Sequence, residues 1–351
     1  MRRFVRFYIL MVCLAGGSRL YAQADTPTHM IRIYEDDDCI NLLGQVTDNA
    51  YTNGTRIDYF YMPQRPSRFF LDRVLPRAGR DSRNVYGWGI MQIMYTPDDL
   101  TSKDYQPNDY PYSGALFATH TLYSYNADRK YAFQTEIVAG VIGPAALAKE
   151  TQRLVHRWEG FDIPEGWGHQ FRNDILFNIN FTAEKQLARA GQALEIIGGS
   201  HASVGTMQNN IGIYPLIRIG NMRSYFNGFL SQYTGTKKKG QFYFFAKPEV
   251  QLVFSNALVQ GGLFTHNPNL PNGGANSKPA DHTPDVATAS QLVTPDPLPY
   301  PGLNRVYCSL TYGAVFSTGN FGLSFSQITS SAQLKGLYCH TTGNVSVFVS
   351  W

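Results

Sequence analysis

One histidine on a helical segment is the residue of this chain best suited to acid–base chemistry. The run from Ala145 to Trp158 follows Pro144, whose preset φ and missing N–H suit a first helical position. Helical spacing puts one set of polar residues on one side of this run and one set of apolar residues on another: Lys149, Gln152 and His156, against Leu147, Leu154 and Trp158. Histidine titrates near neutral pH, so its ring can take a proton from water.

An acidic run provides a second set of reactive groups. Glu35, Asp36, Asp37 and Asp38 are consecutive, and Tyr51-Thr52-Asn53-Gly54 follows them. Clustered carboxylates repel one another unless a cation neutralises them, and oxygen ligands of this kind suit Ca²⁺, although a solvated turn has the same composition. A histidine base, a carboxylate that fixes its tautomer and a Ca²⁺ ion together allow water to hydrolyse an ester. The sequence has no Gly-x-Ser-x-Gly motif for a serine nucleophile.

The segments around these groups alternate between apolar and polar residues, as β-strands do. From Gln241 to Phe254, one face is apolar and the other contains Lys247 and Glu249. A soluble β-sandwich also alternates, but strands of about ten residues with charges on one face suit a bilayer-spanning barrel with a wet lumen. The chain ends in an alternating strand closed by Trp351, which resembles the final strand of bacterial outer-membrane barrels. We therefore predict an all-β protein, a transmembrane antiparallel β-barrel.

Thirteen segments have the strand pattern. They are Met30–Glu35, Thr52–Tyr61, Tyr86–Tyr95, Ser113–Tyr125, Tyr131–Val141, Asn173–Ala183, Leu194–Ala202, Asn210–Ile219, Gln241–Phe254, Leu258–Phe264, Arg305–Phe316, Asn320–Ile328 and Gly343–Trp351. Because a closed single-chain barrel favours an even number, we predict about 12 strands and expect one short segment to be a loop or part of a strand. The short helix with His156 is expected in an extracellular loop near the active site.

The N-terminal composition and the overall charge limit the class of protein. Residues 1–24 combine a basic start, an apolar run and a small-residue cleavage site, as in a secretory signal peptide. We expect residues 25–351 to form a single barrel domain, present as a monomer in the outer membrane of a Gram-negative bacterium. The net charge of +4 does not indicate a nucleic-acid partner, and the three cysteines after residue 24 do not indicate a disulfide framework.

Two long insertions separate predicted strands. Residues 63–84 are basic and partly apolar, and residues 265–302 are rich in Pro, Asn and Gly. Long connections belong on the extracellular side of such barrels, so we expect both insertions there. The basic insertion is suited either to contact with anionic lipopolysaccharide or to simple solvation.

Several motifs, in this order along the chain, resemble the lipid A 3′-O-deacylase family of outer-membrane enzymes. They are Glu35-Asp36-Asp37, Tyr51-Thr52-Asn53-Gly54, Gln92 with Tyr95-Thr96-Pro97, Asp109-Tyr110-Pro111-Tyr112-Ser113-Gly114, and Gly140-Val141-Ile142-Gly143-Pro144 through Gln152, His156-Arg157, Gly166-Trp167, Gln170 and Asn173. The last block is the most specific. The C-terminal third matches only as barrel strands.

The resemblance implies a twelve-stranded barrel with its site between the barrel wall and a helix at the outer surface. It implies Ca²⁺ as cofactor and hydrolysis of the ester-linked 3′-acyloxyacyl chain of lipid A. It implies that His156 is the general base and that Asp162 is the carboxylate that orients the histidine. It implies Thr52 as a further catalytic residue, in the metal or oxyanion neighbourhood, and Asp37 and Asp36 as residues that bind the metal. The residues that it implies at the substrate are Gln152, Trp167 and Gln170. Asp162 is one methylene shorter than the Glu expected there, so Glu159 and Glu165 are alternatives, and Asp36 stands where Asn is common.

Two other functions fit the same residues. A phospholipase A-type esterase of the outer membrane would use the same histidine and Ca²⁺ on a glycerophospholipid. A non-catalytic barrel or channel would conduct ions through a lumen that contains Lys247, Glu249 and Gln251.

Overall fold

Twelve antiparallel strands close into a barrel in which each strand pairs with its neighbours in sequence and the first pairs with the last. The computed structural model describes residues 27–41, 50–64, 67, 69–234, 240–265 and 301–351. The strands are β1 His29–Asp37, β2 Ala50–Tyr61, β3 Arg83–Thr96, β4 Ser113–Asn126, β5 Tyr131–Ile142, β6 Asp174–Ala190, β7 Leu194–Gly205, β8 Gln208–Asn221, β9 Gln241–Asn256, β10 Val306–Thr318, β11 Phe321–Ser330 and β12 His340–Ser350. The predicted fold class is confirmed. The signal peptide predicted for residues 1–24 lies outside the described residues.

The short helices lie in the connections between strands. They are α1 Leu71–Val74, α2 Ala148–Glu159, α3 Phe229–Tyr233 and α4 Ala257–Gln260, with 3-10 turns at Pro144–Ala146, Gly166–His169 and Tyr225–Asn227. None of the helices in the described part of the chain has the length and apolar character needed to cross a membrane.

The outer face of the barrel is apolar because side chains alternate along each strand. Large apolar side chains such as Phe177, Ile213 and Phe244 are exposed on this face. An exposed apolar belt of this kind is unfavourable in water but matches the hydrocarbon of a bilayer. The bilayer also explains why the sheet closes into a barrel, because lipid cannot form hydrogen bonds with the backbone groups of an open sheet edge.

One of the thirteen predicted strands is wrong. Leu258–Phe264 does not pair in the barrel; its first residues belong to α4. The side chain of Asn256 accepts a hydrogen bond from the Leu258 N–H at 3.0 Å and caps this helical turn, and Gly261 ends it at φ 85°. A capping residue and a glycine therefore outweigh a short apolar pattern.

The connections leave the barrel alternately from its two rims. Those that follow β1, β3, β5, β7, β9 and β11 form what we call the histidine rim, since α2 follows β5; the others, with the start of β1 and the end of β12, form the terminal rim. The basic insertion of residues 63–84 follows β2, whereas the insertion of residues 265–302 follows β9. The two insertions therefore start from opposite rims, so the expectation that both are on one side is wrong; residues 266–300 themselves lie outside the described residues.

The lumen is filled at the terminal rim by the connection between β8 and β9. Phe226 and Leu230 of this connection are buried, and the ring of Tyr233 stacks on Phe348 with a 4.1 Å centroid distance. Nearer the middle of the barrel, Asp58 binds two arginines on the lumenal face of β1 and β2, Arg32 at 2.6 Å and Arg56 at 2.8 Å. Arg56 also binds Glu136 of β5 at 2.6 Å.

Candidate active site

The segment with His156 is helical but starts later than predicted. Pro144 begins a 3-10 turn that ends at Ala146, and Leu147 then adopts a left-handed conformation with φ 58°. The α-helix α2 runs from Ala148, so the predicted helix from Ala145 is divided in two. Leu147 is the residue at which the chain changes direction along the barrel wall.

Helix α2 turns its polar side toward the barrel and its apolar side outward. Ala148, Gln152 and His156, spaced by four residues, are buried. Leu154 and Trp158, in contrast, are 67% and 49% exposed. The two predicted sides are therefore real, but their orientation is the reverse of that in a soluble protein, as expected for a helix that faces lipid.

Small residues seat α2 against the outer wall of β3 and β4. A Cβ atom added to Gly114 would lie 2.3 Å from the Cβ of Ala148, so only glycine permits this approach. The amide of Gln92 donates to the Ala146 carbonyl at 2.6 Å. Apolar packing beneath the helix is provided by a buried cluster of Met94, Leu100, Tyr112, Ala148 and Trp167.

The imidazole of His156 is held by a main-chain carbonyl. Gly160 ends α2 at φ 83°, and the chain turns back so that the Asp162 carbonyl oxygen lies 2.6 Å from His156 Nδ1. A carbonyl only accepts hydrogen bonds, so Nδ1 carries the proton and Nε2 is the ring nitrogen with the basic lone pair. The residue predicted to orient the histidine therefore does contact it, but through its main chain, while the Asp162 residue as a whole is exposed.

Gln152 and Trp167, both predicted at the substrate site, contact each other. The indole N–H of Trp167 donates to Gln152 Oε1 at 2.8 Å, and both side chains are buried. This bond fixes which end of the amide is oxygen. Gln152 Nε2 and Gln170 Oε1 are buried with no hydrogen-bond partner within the described residues, so both are available to a ligand.

Two carboxylates share the outer face of β1. Glu35 and Asp37 lie on the same side as Ile31, and the Asn53 amide donates to Glu35 Oε1 at 2.6 Å and to Asp37 Oδ2 at 3.4 Å. All three side chains are half-buried. An amide that bridges two carboxylates leaves several oxygen atoms directed to one place.

Strand register connects these carboxylates to α2. Across neighbouring strands, Asp37 pairs with Asn53, Asn53 with Met94, and Met94 with Gly114, against which Ala148 packs. With strands about 4.8 Å apart, β1 and β3 are separated by roughly 10 Å. The carboxylates and the buried face of α2 therefore lie on one outer surface of the barrel.

Asp36 lies on the opposite face of β1 from Asp37. Its carboxylate accepts hydrogen bonds from the hydroxyls of Tyr34 at 2.5 Å and Tyr51 at 2.9 Å, and from the Asn344 amide at 3.0 Å. The prediction that the side chains of Asp36 and Asp37 serve one metal is therefore corrected: alternation directs Asp36 into the lumen, and Glu35 takes its place beside Asp37.

Thr52 supports the rim beside the acidic residues. The pairing of β2 with β3 shifts at Tyr51–Asn53, and Thr52 Oγ1 lies 2.7 Å from Thr96 Oγ1. The Thr52 carbonyl accepts from the Asp38 N–H at 3.2 Å, which holds the end of β1 in place. The predicted catalytic residue Thr52 is thus buried in a hydrogen-bonded rim next to Asp37 and Asn53.

The Asp109–Gly114 motif joins loops of the histidine rim. Asp109 accepts from the Tyr338 hydroxyl at 2.9 Å and from the Asp98 N–H at 2.9 Å. Burial raises the pKa of Tyr110 to about 12, and its hydroxyl accepts from the Gln333 N–H at 3.1 Å. Burial, with the charge of Asp109, also raises the pKa of Tyr338. These neutral tyrosines stabilise the rim rather than take part in proton transfer.

The described residues contain no group of three or more His, Cys, Asp or Glu side chains close enough to chelate a metal by themselves. A cation at Glu35 and Asp37 would therefore need amide, main-chain or substrate oxygen atoms as further ligands, which is a common pattern for Ca²⁺.

Comparison with known families and structures agrees with the barrel fold. The family model described as outer membrane protein LpxR matches residues 7–279, which is most of the chain. The chain belongs to the LpxR family. This membership confirms the resemblance drawn from the sequence motifs and the location in the outer membrane.

Solved structures are also similar to this LpxR family member. LpxR from Salmonella typhimurium is 16% identical with a TM-score of 0.68, covering 92% of this chain and 100% of that chain, which agrees in fold. The β domain of the Bordetella autotransporter Brka is 8% identical with a TM-score of 0.43, covering 93% of this chain and 100% of that chain. No curated protein matches the chain.

The sequence analysis placed Glu35 and Asn53 in motifs but assigned neither a role in this candidate site. The signal was present in the strand alternation, because residues 35 and 37 share a face and residue 36 does not. Asn53 could be found only from the register, which brings it opposite Asp37.

Proposed function

We propose that this LpxR family member hydrolyses the ester-linked 3′-acyloxyacyl chain of lipid A in the space between α2 and the outer wall of β1 to β4. The observation that carries the proposal is His156, which is buried on a polar helix face turned toward a lipid-facing wall, with Nδ1 held by a carbonyl. A histidine so placed is reached from the membrane and not from the lumen.

His156 Nε2 is the general base in this proposal. It takes a proton from water, and the water oxygen adds to the ester carbonyl carbon while the carbonyl electrons move to oxygen. When the bond to the sugar oxygen breaks, the imidazolium returns the proton to that oxygen, and the products are a carboxylic acid and an alcohol. The Asp162 carbonyl accepts from Nδ1 throughout and so stabilises the protonated ring.

Gln152 is suited to stabilise the oxyanion of the tetrahedral intermediate. Its Nε2 is a buried donor one helical turn from His156, and Trp167 keeps Oε1 occupied so that Nε2 points elsewhere. A fixed donor of this kind lowers the barrier because it needs no reorganisation when charge develops. Gln170 Oε1 is a buried acceptor suited to a hydroxyl or amide N–H of the substrate.

Glu35 and Asp37 are the residues that would hold Ca²⁺. Their half-buried carboxylates and the amide oxygen of Asn53 form a set of hard oxygen donors, which fits this ion. When bound, Ca²⁺ supplies positive charge that polarises the ester carbonyl. Thr52 keeps the end of β1 in position beside these donors.

The outward face of α2 supports a substrate that lies in the membrane. Leu147 and Leu154 are exposed by 53% and 67%, together with Val155 and Trp158, and would enter the acyl region of a leaflet. Lipid A occupies the outer leaflet, so in this proposal the histidine rim faces the outer surface and the terminal rim faces the periplasm.

The test uses the purified barrel with lipid A and, in parallel, with phospholipid, each with Ca²⁺ or with chelator. We expect mass spectrometry to show loss of the 3′-acyloxyacyl chain from lipid A only with Ca²⁺. His156→Gln should lower the rate at least about 100-fold, while the heat-modifiable gel shift of a folded barrel persists. Product from phospholipid alone would identify a phospholipase instead, and unchanged activity of His156→Gln would refute the role of this histidine.

A further inference from the structure

A second concave site lies on the outer wall of β5 to β8, in the half of the barrel near the terminal rim. It is a groove of about 740 Å³ on the apolar outer face, a volume within the roughly 300–1,000 Å³ of ligand sites. Small residues form its floor, namely Ala183, Gly198 and Ser200, and larger residues form its walls, namely Tyr131, Phe133, Leu187, Ile213 and Pro215.

The groove follows from the register of four strands. One row across the wall is Tyr131, Lys185, Gly198 and Pro215, and the next row is Phe133, Ala183, Ser200 and Ile213. The two middle strands, β6 and β7, therefore present small side chains or none to the groove, apart from Lys185. The two flanking strands, β5 and β8, present large side chains.

A local break in the sheet borders the groove. The pairing of β8 with β9 stops at Ile213–Val250 and resumes at Ile217–Ala246. Pro215 lies inside this break and has no N–H to donate, so the wall is less regular here. Leu187, which is 65% exposed, stands over Gly198 beside a register shift in β6.

A cation stands at the end of the groove nearest the terminal rim. Lys185 Nζ donates to the Arg129 carbonyl at 2.5 Å and lies 5.6 Å from the centre of the Tyr131 ring. Arg129 is exposed and Lys130 is half-exposed in the adjoining turn, where Asp128 is the acidic residue. None of these three cations forms an ion pair among the described residues.

The terminal rim around this groove is strongly basic. Its exposed or half-exposed cations within the described residues are Arg73, Arg77, Arg80, Arg83, Arg129, Lys130, Lys185, Arg189 and Arg223. The exposed carboxylates of the same described part are Asp81 and Asp128, since Asp72, Glu184 and Glu195 are buried. A rim with this balance attracts anionic head groups.

We propose that this groove binds an anionic phospholipid of the leaflet opposite to the one reached by His156. An acyl chain lies on Ala183, Gly198 and Ser200, and the phosphate binds Lys185 together with the cations of the turn at residues 129–130. The apolar floor selects a lipid chain, and the unpaired cations select a negative head group over a neutral one. The site does not depend on the proposed hydrolysis, because α2 is at the other rim.

The test is native mass spectrometry of the full barrel in detergent, with phosphatidylglycerol or with phosphatidylcholine of the same chains. We expect wild-type protein to retain phosphatidylglycerol preferentially. Lys185→Gln should weaken that retention about fivefold, the effect of one cation near a membrane surface. Ala183→Leu, which fills the floor, should lower retention of both lipids.

Matched controls separate a site from general lipid contact. Lys335→Gln removes an exposed lysine at the histidine rim, and Ala314→Leu adds the same bulk to the outer face of β10; neither should change retention. Heat-modifiable gel mobility shows that each variant is folded. Equal retention of the two lipids by the wild type, or variants at Lys185 and Ala183 that behave like the controls, would overturn the proposal.

Discussion

At His156, one hydrogen bond decides which nitrogen can act as a base. The Asp162 carbonyl needs no particular side chain, only a chain reversal after α2, and Gly160 permits that reversal at φ 83°. The shorter carboxylate of Asp162, compared with the glutamate expected from the family resemblance, is therefore compatible with an oriented ring.

This contact predicts a modest effect of removing the charge of Asp162. Asp162→Asn retains the main-chain carbonyl, so we expect the rate of lipid A deacylation to fall no more than about tenfold, against at least about 100-fold for His156→Gln. Initial rates measured at several pH values would compare the two variants. Equal losses would show that the carboxylate itself orients the ring.

The carboxylates of β1 lead to a prediction about Ca²⁺. Glu35→Gln and Asp37→Asn each remove one donor charge on the outer face, so we expect each to raise the half-saturating Ca²⁺ concentration about tenfold or more. Asp36→Asn, on the lumenal face, is the matched control and should leave it unchanged. Isothermal titration calorimetry with Ca²⁺ measures binding without an activity assay and so tests this placement of the ion. A large effect of Asp36→Asn alone would contradict it.

At the scale of elements, the position of α2 depends on Gly114, which lets the helix pack closely against the outer wall of β4. Gly114→Ala would place a Cβ 2.3 Å from the Cβ of Ala148, so the helix must shift outward and carry His156 with it. We expect a loss of activity of about 10² without loss of the barrel, since a displacement near 1 Å has this effect.

The double variant Gly114→Ala with Ala148→Gly tests the cause. It removes the clash, and a glycine in the first turn of α2 costs only about 1 kcal/mol. Activity that recovers by tenfold or more over the single variant would identify the contact as the reason for the loss. No recovery would mean that Gly114 acts in another way.

The apolar side of α2 gives a separate prediction. Leu154→Ser and Trp158→Ser remove apolar groups that are 67% and 49% exposed on the side of α2 away from the barrel. We expect severalfold lower activity on lipid A in vesicles, because membrane contact scales with buried apolar area, and nearly normal activity on lipid A dispersed in detergent. Parallel assays in vesicles and in detergent give the ratio of variant activity to wild-type activity in each medium. Equal losses in both would show that these side chains serve the site directly.

At the scale of the whole molecule, the filled lumen argues against a channel. The connection between β8 and β9 occupies the terminal end, and an ion pair between Arg56 of β2 and Glu136 of β5, at 2.6 Å, joins separated strands through the interior. We expect no steady conductance of the wild type in planar bilayers. Replacing residues 225–233 by a short Gly/Ser linker should create measurable conductance. A conducting wild-type barrel would refute this view of the lumen.

The two rims divide the molecule into two chemical environments. The histidine rim holds α2 and the carboxylates of Glu35 and Asp37. The terminal rim holds the exposed arginine and lysine side chains, and the groove of β5 to β8 lies beside it. The basic insertion of residues 63–84 belongs to the second environment, since an even number of strands separates it from each chain end. Topology therefore places it at the rim opposite to the one that holds His156.

The sequence by itself determined the barrel, the position of nearly every strand and the two faces of the helix with His156. These features depend on local periodicity, because a side chain at i shares a face with i + 2 in a strand and with i + 4 in a helix. The motif order also indicated the LpxR family. Local patterns of this kind need no information about distant partners.

Only the tertiary structure decided which faces meet. The register brings Asn53 to Asp37 and Gly114 to Ala148, and the closed barrel directs Asp36 inward. The chain reversal after Gly160 brings a carbonyl, not a carboxylate, to the ring of His156. These contacts depend on which strands pair, in which register, and on the direction in which the backbone turns. The pattern of apolar and polar residues along the sequence specifies none of these.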